Sequence, residues 1–310
     1  MKREERYKLT KEKNESGMVS EKITVTDMIR WGVSRMRKAN VNYFCFGNPD
    51  LFTTACYLTF FVLNLPYDYK NPVYLNSKLE RHEILAIKKI INKRITTRLP
   101  TPYITNEHWY GVPKITFYVN QDVFISRSPI RHKLQDFMKD VTWNNNKVLD
   151  LGAGSGAIGI ILALLNPNIQ VDLVDICPKA LKVAQINIDK YNLGKRVKCI
   201  QSDLFKNIKN KYDFIVTVPP QISMEEYKTI PAEALHEPTI SLISEKDGLK
   251  HIESIIEEAP KYLNSKGMLA AEIGNRLPNL IKAKYAHLKF KWFKFQKEDW
   301  IFSWKNQETK

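Results

Sequence analysis

The chain has 310 residues, 44% of them apolar and 26% charged, a composition that excludes wholesale disorder and allows a sizeable core. Lysine and arginine number 48 against 33 acids, a formal charge of +15. The excess is spread along the chain rather than gathered in a block, which marks solvated basic faces more than a dedicated polyanion site. The longest apolar stretch, residues 53–65, is too short to span a bilayer and reads as a buried helix, so no membrane partner is expected. The first twenty residues lack the apolar segment of a secretory signal. Cys45, Cys56, Cys177 and Cys199 have neither zinc nor redox spacing, and the six histidines suggest no metal site. A cytoplasmic, disulfide-free protein is expected.

Residues 1–22 are strongly polar and predict a basic, frayed tail. Residues 23–102 read as a small helical domain. Its first helix carries Met28, Ile29, Trp31, Val33 and Met36 at mixed three- and four-residue intervals, with Thr26 or Asp27 as cap candidates. Gly47-Asn48-Pro49-Asp50 is a turn from which Asp50 caps a second, apolar helix, and a third carries Ile84, Ile87, Ile90 and Ile91. Over residues 103–126 the period changes to alternation (Ile115, Phe117, Val119), which predicts a hairpin linker.

Residues 127–310 form the main domain. From Lys147 onward, strand, turn and helix repeat: Val148-Leu149, a glycine turn, a helix over 157–165, then strands at 171–174, 197–200, 214–217 and 268–273. Pro178 opens one intervening helix, with Leu181, Ala184 and Ile188 on its sheet-facing side. This alternation predicts an α/β fold, a parallel sheet covered by helices on both faces. The aromatic-rich tail, residues 290–304, predicts an antiparallel hairpin at the sheet edge, turning at residues 296–299.

The turn Asp150-Leu151-Gly152-Ala153-Gly154-Ser155-Gly156 lets the backbone bend sharply after a strand and approach a ligand, with free helix amides close by. On glycine spacing alone, Gly152, Gly154 and Ala157 also satisfy the dinucleotide fingerprint. The carboxylates separate the two readings. Asp150 at the strand end opposes a pyrophosphate but suits the ammonium of S-adenosylmethionine, which has no phosphate. Asp175 ends the next strand, where a carboxylate accepts hydrogen bonds from ribose hydroxyls, with Ile176 after it. Asp203 and Leu204 follow the third strand, where adenine contacts fall, and Val218 follows the fourth. S-adenosylmethionine is the expected cofactor.

Several segments strongly resemble the HemK-like family, which methylates glutamine side-chain amides of translation proteins. They are residues 150–156, residues 174–181, Ser202-Asp203-Leu204-Phe205 and residues 212–220. The similarity runs from about Thr24 to Trp304, and includes Ser126-Arg127-Ser128-Pro129, His236-Glu237-Pro238 and Glu272-Ile273-Gly274-Asn275. The helical front domain looks most like the branch that modifies a large-subunit ribosomal protein. The resemblance implies a class I methyltransferase: a Rossmann-like, mostly parallel seven-stranded sheet, with Tyr103 and Arg127 near the cleft. His236 and Glu272 are candidate bases, with structural hydrogen bonding the commoner use of such residues.

The family carries Asn-Pro-Pro-Tyr after the fourth strand, where this chain has Val218-Pro219-Pro220-Gln221. In the family the asparagine side chain and the following carbonyls align the target amide, and methyl transfer to so weak a nucleophile depends on alignment. Val218 has no polar group. The departure therefore points to another acceptor: a small molecule, or the cofactor's own amino acid part in a cyclisation. Methylation of a glutamine on a ribosomal protein or release factor is the alternative, and a non-catalytic ribosome or RNA partner the third.

Overall fold

A computed structural model describes residues 23–41, 50–109, 115–295 and 299–306. The basic tail, most of the turn before Asp50 and residues 296–298 of the terminal hairpin lie outside the described residues. The chain divides into two compact units: residues 1–116 with 231–236, and residues 117–230 with 237–310.

The first unit is helical. Helix α1 (Val25–Lys38) starts at Thr24, whose hydroxyl accepts from Asp27 N at 3.2 Å while the Asp27 carboxylate accepts from Thr24 N at 3.0 Å. The cap thus falls two or three residues before the positions expected, because the reciprocal pair satisfies two end amides where one side chain satisfies one. Helix α2 (Leu51–Leu63) is capped by Asp50, as expected, and stops at Asn64 in the left-handed region. Helix α3 (Pro72–Leu75) is one turn, α4 is Arg81–Thr97, and α5 is Thr101–Thr105. Met28, Ile29 and Met36 pack with Ala55, Leu58 and Phe61 and with Ile84, Ile87 and Ile91. A methyl group at Gly32 would come within 2.6 Å of Ile91 Cδ1, so a glycine permits this close approach of α1 to α4. Arg94, 1% exposed, lies 3.2 Å from Glu233, 2% exposed, and Arg98 completes the cluster at 3.4 Å.

Strands β1 (Glu107–Trp109) and β2 (Thr116–Tyr118) form a two-stranded sheet. The second unit continues with α6 (Leu134–Asp140), β3 (Lys147–Leu151), α7 (Ala157–Leu165), β4 (Gln170–Asp175) and α8 (Pro178–Lys190). Next come β5 (Val197–Gln201), β6 (Tyr212–Thr217), α9 (Met224–Tyr227) and α10 (Lys250–Tyr262). Strand β7 (Leu263–Gly274), α11 (Leu277–Lys284), β8 (Lys291–Phe295) and β9 (Asp299–Lys305) complete it.

The sheet order is β5-β4-β3-β6-β7-β9-β8. Strands β3 to β7 pair in parallel and the last two antiparallel, as the alternation and the aromatic tail predicted. Strand β6 is buried throughout, as a strand covered on both faces must be. Of the tail aromatics, Phe302 is fully buried, and Trp292, Trp300 and Trp304 pack against the core cluster. Successive crossovers run from β3 outward to β5 and then return to β6 beside β3. The reversal opens a crevice at the carboxyl ends of β3 and β6, the place where open α/β sheets bind ligands.

Candidate functional site

The glycine turn sits at that reversal. Gly152 N and Ala153 N both donate to Val174 O, at 2.8 and 2.9 Å, which ties the turn to the end of β4. Gly152, Gly154 and Gly156 have φ of 76°, 54° and 77°, the region glycine enters without steric cost. Around a methyl group built on Gly152 or Gly154 nothing lies within 4 Å, so the backbone there faces open space. One at Gly156 would instead approach Leu173 Cδ1 to 2.8 Å, so that glycine serves packing of the turn on the sheet. The turn is stapled from behind by Asn187. Its Nδ2 donates to Ser155 O at 2.9 Å and Tyr118 O at 3.0 Å, and its Oδ1 accepts from Tyr118 N at 2.7 Å.

The open space is a cavity of about 240 Å³. Of the candidate residues it gathers Gly152, Ala153, Gly154, Asp175, Ile176, Asp203, Leu204, Val218 and Pro220. Asp175 offers both oxygens: Oδ2 accepts from Gly154 N and Oδ1 from Cys177 N, each at 2.9 Å, leaving further lone pairs for a ligand. Burial raises its pKa, and those amide bonds partly offset the rise.

Asp150 does not line the cavity. It is 1% exposed, and its Oδ2 accepts from Gly159 N at 2.8 Å, where it fixes the first turn of α7. Burial pushes its carboxyl up to about 7, with the neighbouring Asp175 adding to the rise.

The remaining candidates are not among the residues that line the cavity. Arg127 donates to Glu237 through both arms, at 2.6 and 3.0 Å, and its guanidinium lies 4.6 Å from the centre of the Phe124 ring. It therefore binds the protein's own carboxylate and braces Phe124 and Pro238, which do line the cavity. Gln221 Oε1 accepts from Gly274 N at 2.6 Å, and the backbone amides of Gln221 and Ile222 donate to Leu242 O. Pro219 is buried. Glu272 accepts from the Ser128 hydroxyl and from Ile130 N, a structural use. Tyr103 is buried in α5 of the first unit, and His236 belongs to that unit too.

Two residues escaped the sequence reading. Asn187 left a signal, as a polar side chain on the buried stripe of α8. His251 left none, because only the folded chain brings α10 to the cavity.

A parallel sheet with this strand order, a glycine turn at its reversal and an acid ending the neighbouring strand define a class I S-adenosylmethionine-dependent methyltransferase. The cavity fits that cofactor, since glycines leave room at the turn and carboxylates rather than cations flank it. Residues 132–241 match the family model described as methyltransferase small domain. A relative from Neisseria meningitidis serogroup B, named ribosomal protein uL3 glutamine methyltransferase, is 38% identical over 275 residues, 87% of this chain and 88% of its own. One of the same name from Neisseria gonorrhoeae is 38% identical over 87% of this chain and 89% of its own. Among solved structures, the hMettl16 catalytic domain in complex with a MAT2A 3'UTR hairpin superposes with a TM-score of 0.51 at 13% identity. The match covers 73% of this chain and 82% of that one, and it bears on the fold alone. The chain belongs to the HemK-like methyltransferase family, in the branch of the ribosomal protein uL3 glutamine methyltransferases.

These relatives overturn the expectation of a small-molecule acceptor or an internal cyclisation. That expectation made the side chain at position 218 the determinant of the acceptor. The main chain of residues 218–220 carries carbonyl acceptors whatever that side chain is, and prolines add no N–H to compete with them.

Proposed function

We propose that the protein methylates the side-chain amide of a glutamine on ribosomal protein uL3, the reaction for which its relatives are named. The observation that carries this is the 38% identity over 87% of the chain and 88% of the relative, which takes in the helical front as well as the methyltransferase domain. When bound, S-adenosylmethionine supplies an electrophilic methyl group on a sulfonium. The chain's own task is to hold a carboxamide nitrogen in line with it.

The segment Val218-Pro219-Pro220-Gln221 is suited to that task. A carboxamide NH₂ has two hydrogens to donate, and the carbonyls of this segment are acceptors on a stiff backbone. Holding both hydrogens fixes the nitrogen, and such positioning supplies most of the rate for a neutral nucleophile. Gln221 keeps the segment in place through Gly274 N. Val218 contributes an apolar side chain to the cavity lining.

The test is incubation with S-adenosylmethionine and uL3 taken from cells lacking this activity, read by intact mass and peptide mapping. A gain of one methyl on a single glutamine of uL3 is expected. An unmodified uL3 alongside methylated free amino acids would overturn the proposal.

A further inference from the structure

His251, the second residue of α10, lines the cavity together with Ser202, Asp203 and Leu204 at the end of β5. Its backbone N–H donates to Ser244 Oγ at 3.3 Å, and its Nδ1 lies 2.7 Å from that same oxygen. Ser244 is 2% exposed. A hydroxyl has two lone pairs and one hydrogen. One lone pair takes the His251 N–H, and the hydrogen has Nδ1 as its acceptor. The opposite arrangement would leave a buried hydroxyl hydrogen unpaired, which proteins avoid. Nδ1 therefore accepts, and the ring hydrogen sits on Nε2.

Burial, helped by the charge of Lys250, holds the imidazole below its ordinary pKa against the opposing pull of Asp203 and Glu245. Its neutral form is thereby favoured. Its two ring bonding positions are thus unlike, one spent on Ser244 and one a donor. Nε2 has no partner among the described residues.

We propose that His251 is a cofactor-binding residue whose Nε2–H donates to a ring nitrogen of the adenine. The chemistry of the other cofactor groups excludes them. A carboxylate calls for a cation, and a neutral imidazole beside Asp203 is a poor site for an anion. Ribose hydroxyls are served by Asp175, whose oxygens accept. The exocyclic amine of adenine donates, as Nε2–H does. Ring nitrogens accept, and the apolar side chains of Leu204, Ile176 and Ile158 in the same cavity suit the faces of a flat base. The inference rests on the cofactor and is independent of the acceptor.

The experiment uses the full chain with S-adenosylhomocysteine, which reports binding without turnover. By calorimetry, His251→Leu weakens binding about three- to tenfold, the range of one neutral hydrogen bond, and His251→Gln restores part of the loss by keeping a donor. Nitrogen NMR of the wild-type imidazole shows the hydrogen on Nε2, and that resonance moves on saturation. Equal losses in the two variants would mean packing alone and overturn the proposal. So would a hydrogen found on Nδ1, or an Nε2 resonance that ignores the ligand. Should His251→Leu fail to fold, the wild-type titration decides.

Discussion

Asp150 makes the electrostatics of the site measurable. Its carboxyl is buried at the end of β3 and pushed up to about 7 by that burial, with Asp175 adding to the rise. S-adenosylmethionine is cationic between pH 5 and 7, and a cation in the cavity favours the ionised form of both acids. If Asp150 supplies the counter-charge, binding below about pH 7 must expel its proton. Affinity then falls by up to about tenfold, or 1.4 kcal/mol, for each pH unit below 7 and levels above it. The cofactor-free protein shows the matching sign in its stability. Its native state holds a proton that the unfolded chain has released, so Asp150's contribution falls as pH rises from about 4 to 7 and is constant above. Asp150→Asn keeps an acceptor for Gly159 N but cannot ionise, so it lacks both trends. Titration calorimetry in buffers of unlike ionisation enthalpy counts the released proton. The difference between the wild-type and Asp150→Asn profiles isolates this group from His251, which titrates in both. Identical profiles with no proton release would refute the reasoning.

The glycines of the turn separate by readout. Gly156→Ala combines a left-handed backbone with a 2.8 Å approach to Leu173, and costs about 2–5 kcal/mol in thermal or urea unfolding. Gly152→Ala meets no protein atom and loses only about 1–2 kcal/mol, while its methyl intrudes on the cavity and weakens cofactor binding in calorimetry. In the first unit, Glu233→Ala removes the carboxylate shared by the buried Arg94 and by Arg98 and destabilises by about 3–5 kcal/mol in urea titration. Gln221→Leu takes the acceptor from Gly274 N and loosens the segment before it; methyl transfer drops roughly tenfold to a hundredfold while the cofactor dissociation constant holds.

Much of the fold was readable in advance because the signals were local. Strands β3 to β6 are short apolar runs broken by glycine, proline and acid, and each lies within a residue or two of its expected place. The aromatic tail announced its hairpin in the same way. Side-chain direction was not readable. The motif marks Asp150 as an acid at the end of its strand, but nothing local shows that Gly159 N would donate to its Oδ2 at 2.8 Å. The resemblance puts Arg127 near the cleft, but its partner Glu237 comes 110 residues later in the chain. His251 and Ser244 carry no local pattern, since their meaning comes from the serine's burial and the arrival of α10 at the cavity.

Position 218 shows why a motif can be altered at its most diagnostic letter without changing class. A side chain and a carbonyl are interchangeable as acceptors, and only the side chain is written in the sequence. Replacing asparagine by valine removes one polar group from the wall, yet leaves the acceptors of the two prolines and of residue 218 itself. What those acceptors need is a fixed backbone. The residue at the end of the motif contributes to that: where the family has tyrosine, Gln221 reaches 2.6 Å to Gly274 N, joining the segment to the end of β7. The substitutions at 218 and 221 thus act in opposite senses, one removing a side-chain acceptor and the other restraining the main-chain ones. Under the proposed function Val218→Asn leaves glutamine methylation unchanged or raises it, and Gln221→Leu is the costlier of the two changes.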